Sequence, residues 1–352
     1  MPCQKNNSLC TAIFLLLLLP AITSYAQPKQ FLLALSKRDR TLAIVDAATW
    51  KVLGKVPVGD DPHEVAAATD GKTAYVSIYG GGSLHTINVI DLEKQTRLED
   101  IDTKPLQGPH GLVFAHHKLW FTVEGSKAVG SYDPVTNTID WVMGTGQDRT
   151  HMLYVTNNGK KVYTSNVSSG TVSLLENNSM QRTDRPPPPG SPPPPPGAGG
   201  NRSNWQQTIV PASRGAEGFD VSPDSTELWA AASENGHIYI IDLAAKKTVA
   251  DLDAKVNGAN RLKFTPDGKM VFISSLASGK LTVYDAKTRQ QRKQIDIGHG
   301  AAGIEMRPDN TFALVACTPD NYIAVIDLKT LTIVGKIDVG GQPDGLAWVM
   351  QQ

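Results

Sequence analysis

Histidines stand at 63, 110 and 151 and a glutamate at 217, far apart in the chain. No local motif joins them, so only a repeating fold can gather them. Gathered, three imidazoles and a carboxylate make a ligand set for a divalent ion such as Zn²⁺, Cu²⁺ or Mn²⁺, with a position left for water or substrate. Such an ion polarises a carbonyl or activates water. Without a metal, one imidazole can serve as general base while an arginine steadies developing negative charge. The plainer alternative is a ring of polar side chains that only hydrates a channel mouth.

The elements that must position these residues are short strands in a repeat. An Asp closes an apolar strand at 46, 91, 133, 242, 285 and 327, with a degenerate copy at Leu175-Glu176. The clearest copy runs from Asn260 to Gly298: a strand, a Pro266-Asp267-Gly268-Lys269 turn, a second strand, a third strand closed by Asp285, and a polar fourth. Pro presets φ in such a turn and Gly accepts φ > 0. Counting seven residues back from each turn Asp, or its equivalent, gives His63, His110, His151, Glu217, Asn260 and Ala302; the last strand continues the series with Asp344. These positions are expected to ring a channel mouth. Arg149, Arg214, Arg261 and His299 lie within three residues of them and join the candidate site.

A period of 41 to 47 residues with four strand signals per copy predicts an all-β, seven-bladed β-propeller of four-stranded antiparallel blades. The chain starts in the register of a second strand at Phe31 to Ser36 and ends in that of a first strand at Gly345 to Met350. The C-terminal strand should therefore join the N-terminal blade and close the ring, which removes open edges. The recurring Asp residues are read as scaffold, because a carboxylate at a turn accepts backbone N–H bonds.

Thr11 to Ile22 is apolar and short for a bilayer, and Ser24-Tyr25-Ala26 offers small residues for cleavage. Residues 1–26 are thus expected to be a signal peptide and 27–352 a single domain, periplasmic or secreted, with no membrane span after cleavage. Cleavage removes Cys3 and Cys10, so Cys317 can form no internal disulfide. The formal net charge of +0 gives no general pull toward nucleic acid. A proline-rich insert at about 177–203 interrupts one blade as an extended, disordered excursion, open to a proline-binding partner.

The segment Gly159-Lys160-Lys161-Val162-Tyr163-Thr164-Ser165-Asn166, with Asp70-Gly71-Lys72-Thr73-Ala74-Tyr75-Val76-Ser77, resembles the YVTN-type β-propeller repeat family. The resemblance covers about Phe31 to Val349 and implies an exported bacterial propeller, related in architecture to lactonase-like and cytochrome-d1-like propellers. It is weak for function, since the family includes binding proteins and domains of enzymes. The chain has no Cys-x-x-Cys-His, so a covalent c-type haem is not expected. The leading expectation is a monomer that binds a small molecule or an exported protein partner at the channel mouth. A hydrolase, lactonase or lyase at the same mouth is the first alternative. Single-stranded nucleic-acid binding is the second, and it would need aromatic platforms beside a basic groove.

Overall fold

The computed structural model describes residues 1–2, 29–178 and 205–351. All of the expected signal peptide beyond residues 1–2 and nearly all of the proline-rich insert lie outside the described residues. The described chain forms seven antiparallel sheets, which we number as blades in chain order. Blade 1 holds Lys29–Ser36, Thr41–Asp46 and Val52–Pro57, with Pro343–Gln351 as its inner strand. The inner strands of blades 2 to 7 are Pro62–Ala67, Pro109–Ala115, Thr150–Val155, Ala216–Val221, Ala259–Phe264 and Ala301–Met306. Their second strands are Thr73–Ile78, Lys118–Val123, Lys161–Asn166, Glu227–Ala232, Met270–Ser275 and Phe312–Cys317. Only blade 2 departs from the simple plan: its outer strand is split into Thr96–Arg97 and Ile101–Asp102.

The expected closure is present. Lys29 pairs with Gln351, Phe31 with Val349 and Ala34 with Leu346. Blades pack face to face through alternate apolar side chains. Phe272, Leu281 and Val283 of blade 6, for example, meet Ile304 and Val315 of blade 7 in one buried cluster. Each such side chain stabilises the fold by about 1.5–3 kcal/mol on burial.

The recurring Asp residues are scaffold. Asp46 accepts from the backbone N–H groups of Ala48 and Thr49, and Asp327 from those of Lys329 and Thr330. The Thr49 hydroxyl and then these backbone bonds hold Asp46, and the Thr330 backbone bond foremost holds Asp327, below the usual carboxylate range. The copy without Asp-Gly makes a two-residue hairpin in which Ala115 pairs with Lys118, and His116 and His117 both take positive φ. Cys317 is fully buried, and burial pushes its thiol up to about 11, so it packs as a small apolar residue.

Candidate functional site

Each of the seven ring positions is the second residue of an inner strand, and in every blade the ladder shifts register across it. Such a bulge re-aims one side chain while leaving the rest of the strand in place. Here it turns His63, His110, His151, Glu217, Asn260, Ala302 and Asp344 into one cavity of about 310 Å³. Two positions earlier stands a residue with positive φ in every blade: Asp61, Gly108, Arg149, Gly215, Gly258, Gly300 and Gln342. Glycine is the undemanding choice there. The three exceptions all serve the mouth: Arg149 and Gln342 line the cavity, and Asp61 lies 3.1 Å from His63 Nε2.

A second ring supplies residues that the sequence reading did not include. The residue that follows the second strand reaches the same space in four blades, giving Lys37, Tyr79, Leu276 and Thr318 along the cavity wall, and Glu124, at the same position in blade 3, bonds Tyr79 and His151 behind it. In five blades it falls nine residues after the turn Asp or Asn, so the same counting could have found it. Tyr79 begins a Gly-rich segment that folds as one short 3₁₀ turn, Gly80–Gly82.

Two candidates are not brought to the cavity. Arg214 and His299 stand three residues before their ring positions, one residue short of the positive-φ turn. Both point outward and are exposed, Arg214 toward Glu234 and His299 toward Asp320. Arg261 is brought in but by a different route from the ring. It is buried, and its guanidinium bonds Glu64 of blade 2 across the channel while lying 3.6 Å from Glu217.

The buried centre of the arc is His110 and His151, packed at a 33° tilt with ring centroids 3.9 Å apart. His63 lies 4.8 Å from His110, and the Tyr79 ring stands edge-on to both. The two buried imidazoles are electrically opposite. Burial, then the charge of His151, holds His110 well below its usual range, so it is neutral. Burial also resists charge on His151, but Glu124 and Glu217 outweigh it and raise its pKa. Glu124 contacts His151 Nδ1 and accepts from the Tyr79 hydroxyl. Glu217 lies 3.3 Å from His151 Nε2 and accepts from Asn260 Nδ2 at 2.7 Å. Burial would raise the Glu217 carboxyl, yet His151 and Arg261 bring it down to about 2. His63 is engaged elsewhere, with Lys37 at 2.8 Å and Asp344 at 3.7 Å.

One ligand atom each from His110, Glu124 and His151 lie within 4.8 Å of one another. Of the metal set expected from spacing, His110 and His151 are thus grouped with Glu124, while His63 and Glu217 hold other partners. Buried His110 Nδ1, His151 Nε2 and Asn260 Oδ1 have no hydrogen-bond partner among the described residues. Leu276 and Ala302 make the opposite wall apolar, and no tryptophan lines the cavity. Below the mouth, Asp220, Lys263 and Glu305 of adjacent inner strands form a second charged layer, in which burial pushes Glu305 up to about 7.

Fold and site together define a seven-bladed β-propeller with a polar channel-mouth cavity. The family model described as Cytochrome D1 heme domain matches residues 200–304. Antigen Lp49 of Leptospira interrogans is 24% identical over 150 residues, which are 37% of this chain and 33% of that protein. The chain therefore matches about a third of the length of that curated relative. Among solved structures, a Bacteroides fragilis protein provisionally described as a 6-phosphogluconolactonase superposes with a TM-score of 0.71 at 14% identity, covering 94% of this chain and 99% of the other. The dihydro-heme d1 dehydrogenase NirN, in complex with DHE, superposes with a TM-score of 0.61 at 13% identity, covering 92% of this chain and 66% of the other. At these identities the likeness is one of fold. No helix among the described residues is long and apolar enough to cross a membrane.

Proposed function

We propose that this chain is an exported propeller of the YVTN type that binds a small polar molecule at its channel mouth. The observation that carries this reading is the convergence of buried polar atoms without partners on the mouth cavity: His110 Nδ1 and Asn260 Oδ1. Buried polar atoms are ordinarily paired, and an unpaired one costs about 1–3 kcal/mol. A ligand that bonds both recovers that cost. The opposed walls define its shape: a polar edge toward His110, Arg149 and Asn260, and an apolar side toward Leu276 and Ala302.

Size argues for a compact ligand. The cavity, about 310 Å³, lies at the low end of the roughly 300–1,000 Å³ range of small-molecule sites. The haem named by the matched family is a broad macrocycle, and the closely packed rings of His63, His110 and His151 fill one side of this small cavity. The residues present do not fit a macrocycle, and the reading assigns haem no role.

The test is a thermal-shift screen of small acids, lactones, sugars and amides against the full chain, then titration of the best compound into Asn260→Ala and His110→Ala. Binding weakened about tenfold or more by either change supports the reading. A hit that binds both variants as it binds the parent, or no hit at all, counts against it.

A further inference from the structure

We propose that His110, His151 and Glu124 form a Zn²⁺ site in the wall of the mouth. The inference builds on the mouth being the ligand site and adds what the ligand would meet there. Two imidazoles and one carboxylate are a donor set of catalytic zinc sites, where a fourth position is left for water or substrate. The three side chains come from different places in the repeat: His110 and His151 from adjacent ring positions, Glu124 from the end of a second strand. All three are buried, and one ligand atom from each lies within 4.8 Å of the others.

Two further observations point to an ion rather than to a merely packed cluster. His110 Nδ1 is buried without a hydrogen-bond partner among the described residues, although a buried imidazole of purely structural use would be expected to bond a carbonyl or hydroxyl. The outer partners of the cluster are also those of a metal centre. Ligating imidazoles characteristically present their second nitrogen to a carboxylate, and ligating carboxylates are themselves hydrogen-bonded. The Glu217 carboxylate lies near His151 Nε2, at 3.3 Å and on the side away from Glu124, without a hydrogen bond formed between them, and the Tyr79 hydroxyl donates to Glu124. His151 Nδ1 and the Glu124 carboxylate now contact each other directly, and the ion would enter between them.

The open position would face the cavity, beside Arg149. Zn²⁺ there can polarise a carbonyl or lower the pKa of a bound water toward 7. This assigns the mouth to ligands carrying a carbonyl or carboxylate oxygen.

The test is metal binding itself, read without any organic ligand. The full chain is stripped with chelator and titrated with Zn²⁺ against a competing indicator, and with Co²⁺ followed by its visible absorption. One ion per chain is expected, with affinity lowered at least 100-fold in His110→Ala and Glu124→Gln and about tenfold in Tyr79→Phe. His63→Ala should stay within threefold of the parent. Circular dichroism and melting of each variant separate loss of metal from loss of fold, and Glu124→Gln keeps its neighbours' shape should His110→Ala fail to fold. No zinc bound by the parent would overturn the proposal, as would zinc bound equally by the parent and Glu124→Gln. Zinc lost in His63→Ala but kept in Glu124→Gln would also overturn it, in favour of another donor set. A thermal-shift ligand that binds the zinc-free protein unchanged would leave the mouth as a ligand site and remove only the metal.

Discussion

Replacing Arg261 by Met should destabilise this propeller far more than replacing its partner Glu64 by Gln. Arg261 and Glu64 are 7% and 9% exposed and meet across the central channel, from blade 6 to blade 2. Arg261 Nη1 also lies 3.6 Å from Glu217 Oε1 and donates to the Asn260 carbonyl at 3.1 Å. One cation thus answers two carboxylates. At an effective dielectric of about 20, an opposite charge at 3.6 Å is worth about 5 kcal/mol before desolvation is counted. Removing one member of a buried pair typically costs about 3–5 kcal/mol, because the other charge is stranded. Arg261→Met strands Glu64 and leaves Glu217 with only His151 and the Asn260 amide close by, so the full cost of about 3–5 kcal/mol is expected. Glu64→Gln leaves Arg261 with Glu217 and the carbonyl, and the cost should fall to about 1–2 kcal/mol. Combining Glu64→Gln with Arg261→Met removes both charges and should recover part of the loss. Urea denaturation of the four proteins in a double-mutant cycle measures this. Equal costs for Arg261→Met and Glu64→Gln would refute the idea that one guanidinium serves two carboxylates. So would additivity in the cycle.

Three further outcomes follow from the same structure. Deleting residues 346–352 removes the strand partner of Lys29–Ser36 together with buried Leu346 and Val349, at about 1.5–3 kcal/mol for each side chain plus the lost ladder; an unchanged melting temperature would contradict closure by this strand. Burial raises the folded-state pKa of Glu305 from its ordinary 4.5 to about 7, so its contribution to stability is lost as pH rises from 4.5 through 7; Glu305→Gln should match the parent at pH 4 and exceed it by up to roughly 3 kcal/mol at pH 8, and parallel stability–pH curves would refute this. The insert is flanked by Asn177 and Trp205, which pair at the end of blade 4 away from His151, so replacing residues 179–203 by a short Gly-Ser loop should leave mouth binding within twofold. Lost binding in a well-folded deletion would show that the two are coupled.

The architecture was legible because blades repeat. The turn Asp residues fix strand register, and register fixes which residue begins each inner strand, so His63, His110, His151 and Glu217 could be placed at one mouth without any contact being known. The same logic failed for Arg214 and His299, where nearness in sequence stood in for register. Three residues before the ring position the chain has not yet made its positive-φ turn, and the side chain points to solvent. Counting could have placed Tyr79 at the mouth, but not shown what Tyr79 and Glu124 do there. They follow second strands, and their role depends on which neighbour of the next blade they meet, Tyr79 with Glu124 and Glu124 with His151. The Arg261–Glu64 pair spans the channel, and no repeat count reveals a partner on the far side of a ring. The opposite charge states of His110 and His151 likewise depend on burial and neighbours that only the folded mouth supplies.

The most direct measurement is a crystal structure of the full chain with the strongest thermal-shift compound bound. The account predicts difference density in the mouth, within hydrogen-bond distance of His110 Nδ1 and Asn260 Oδ1. Density instead in the groove lined by Asp224, Asp267 and Arg289, with the mouth unchanged, would contradict it.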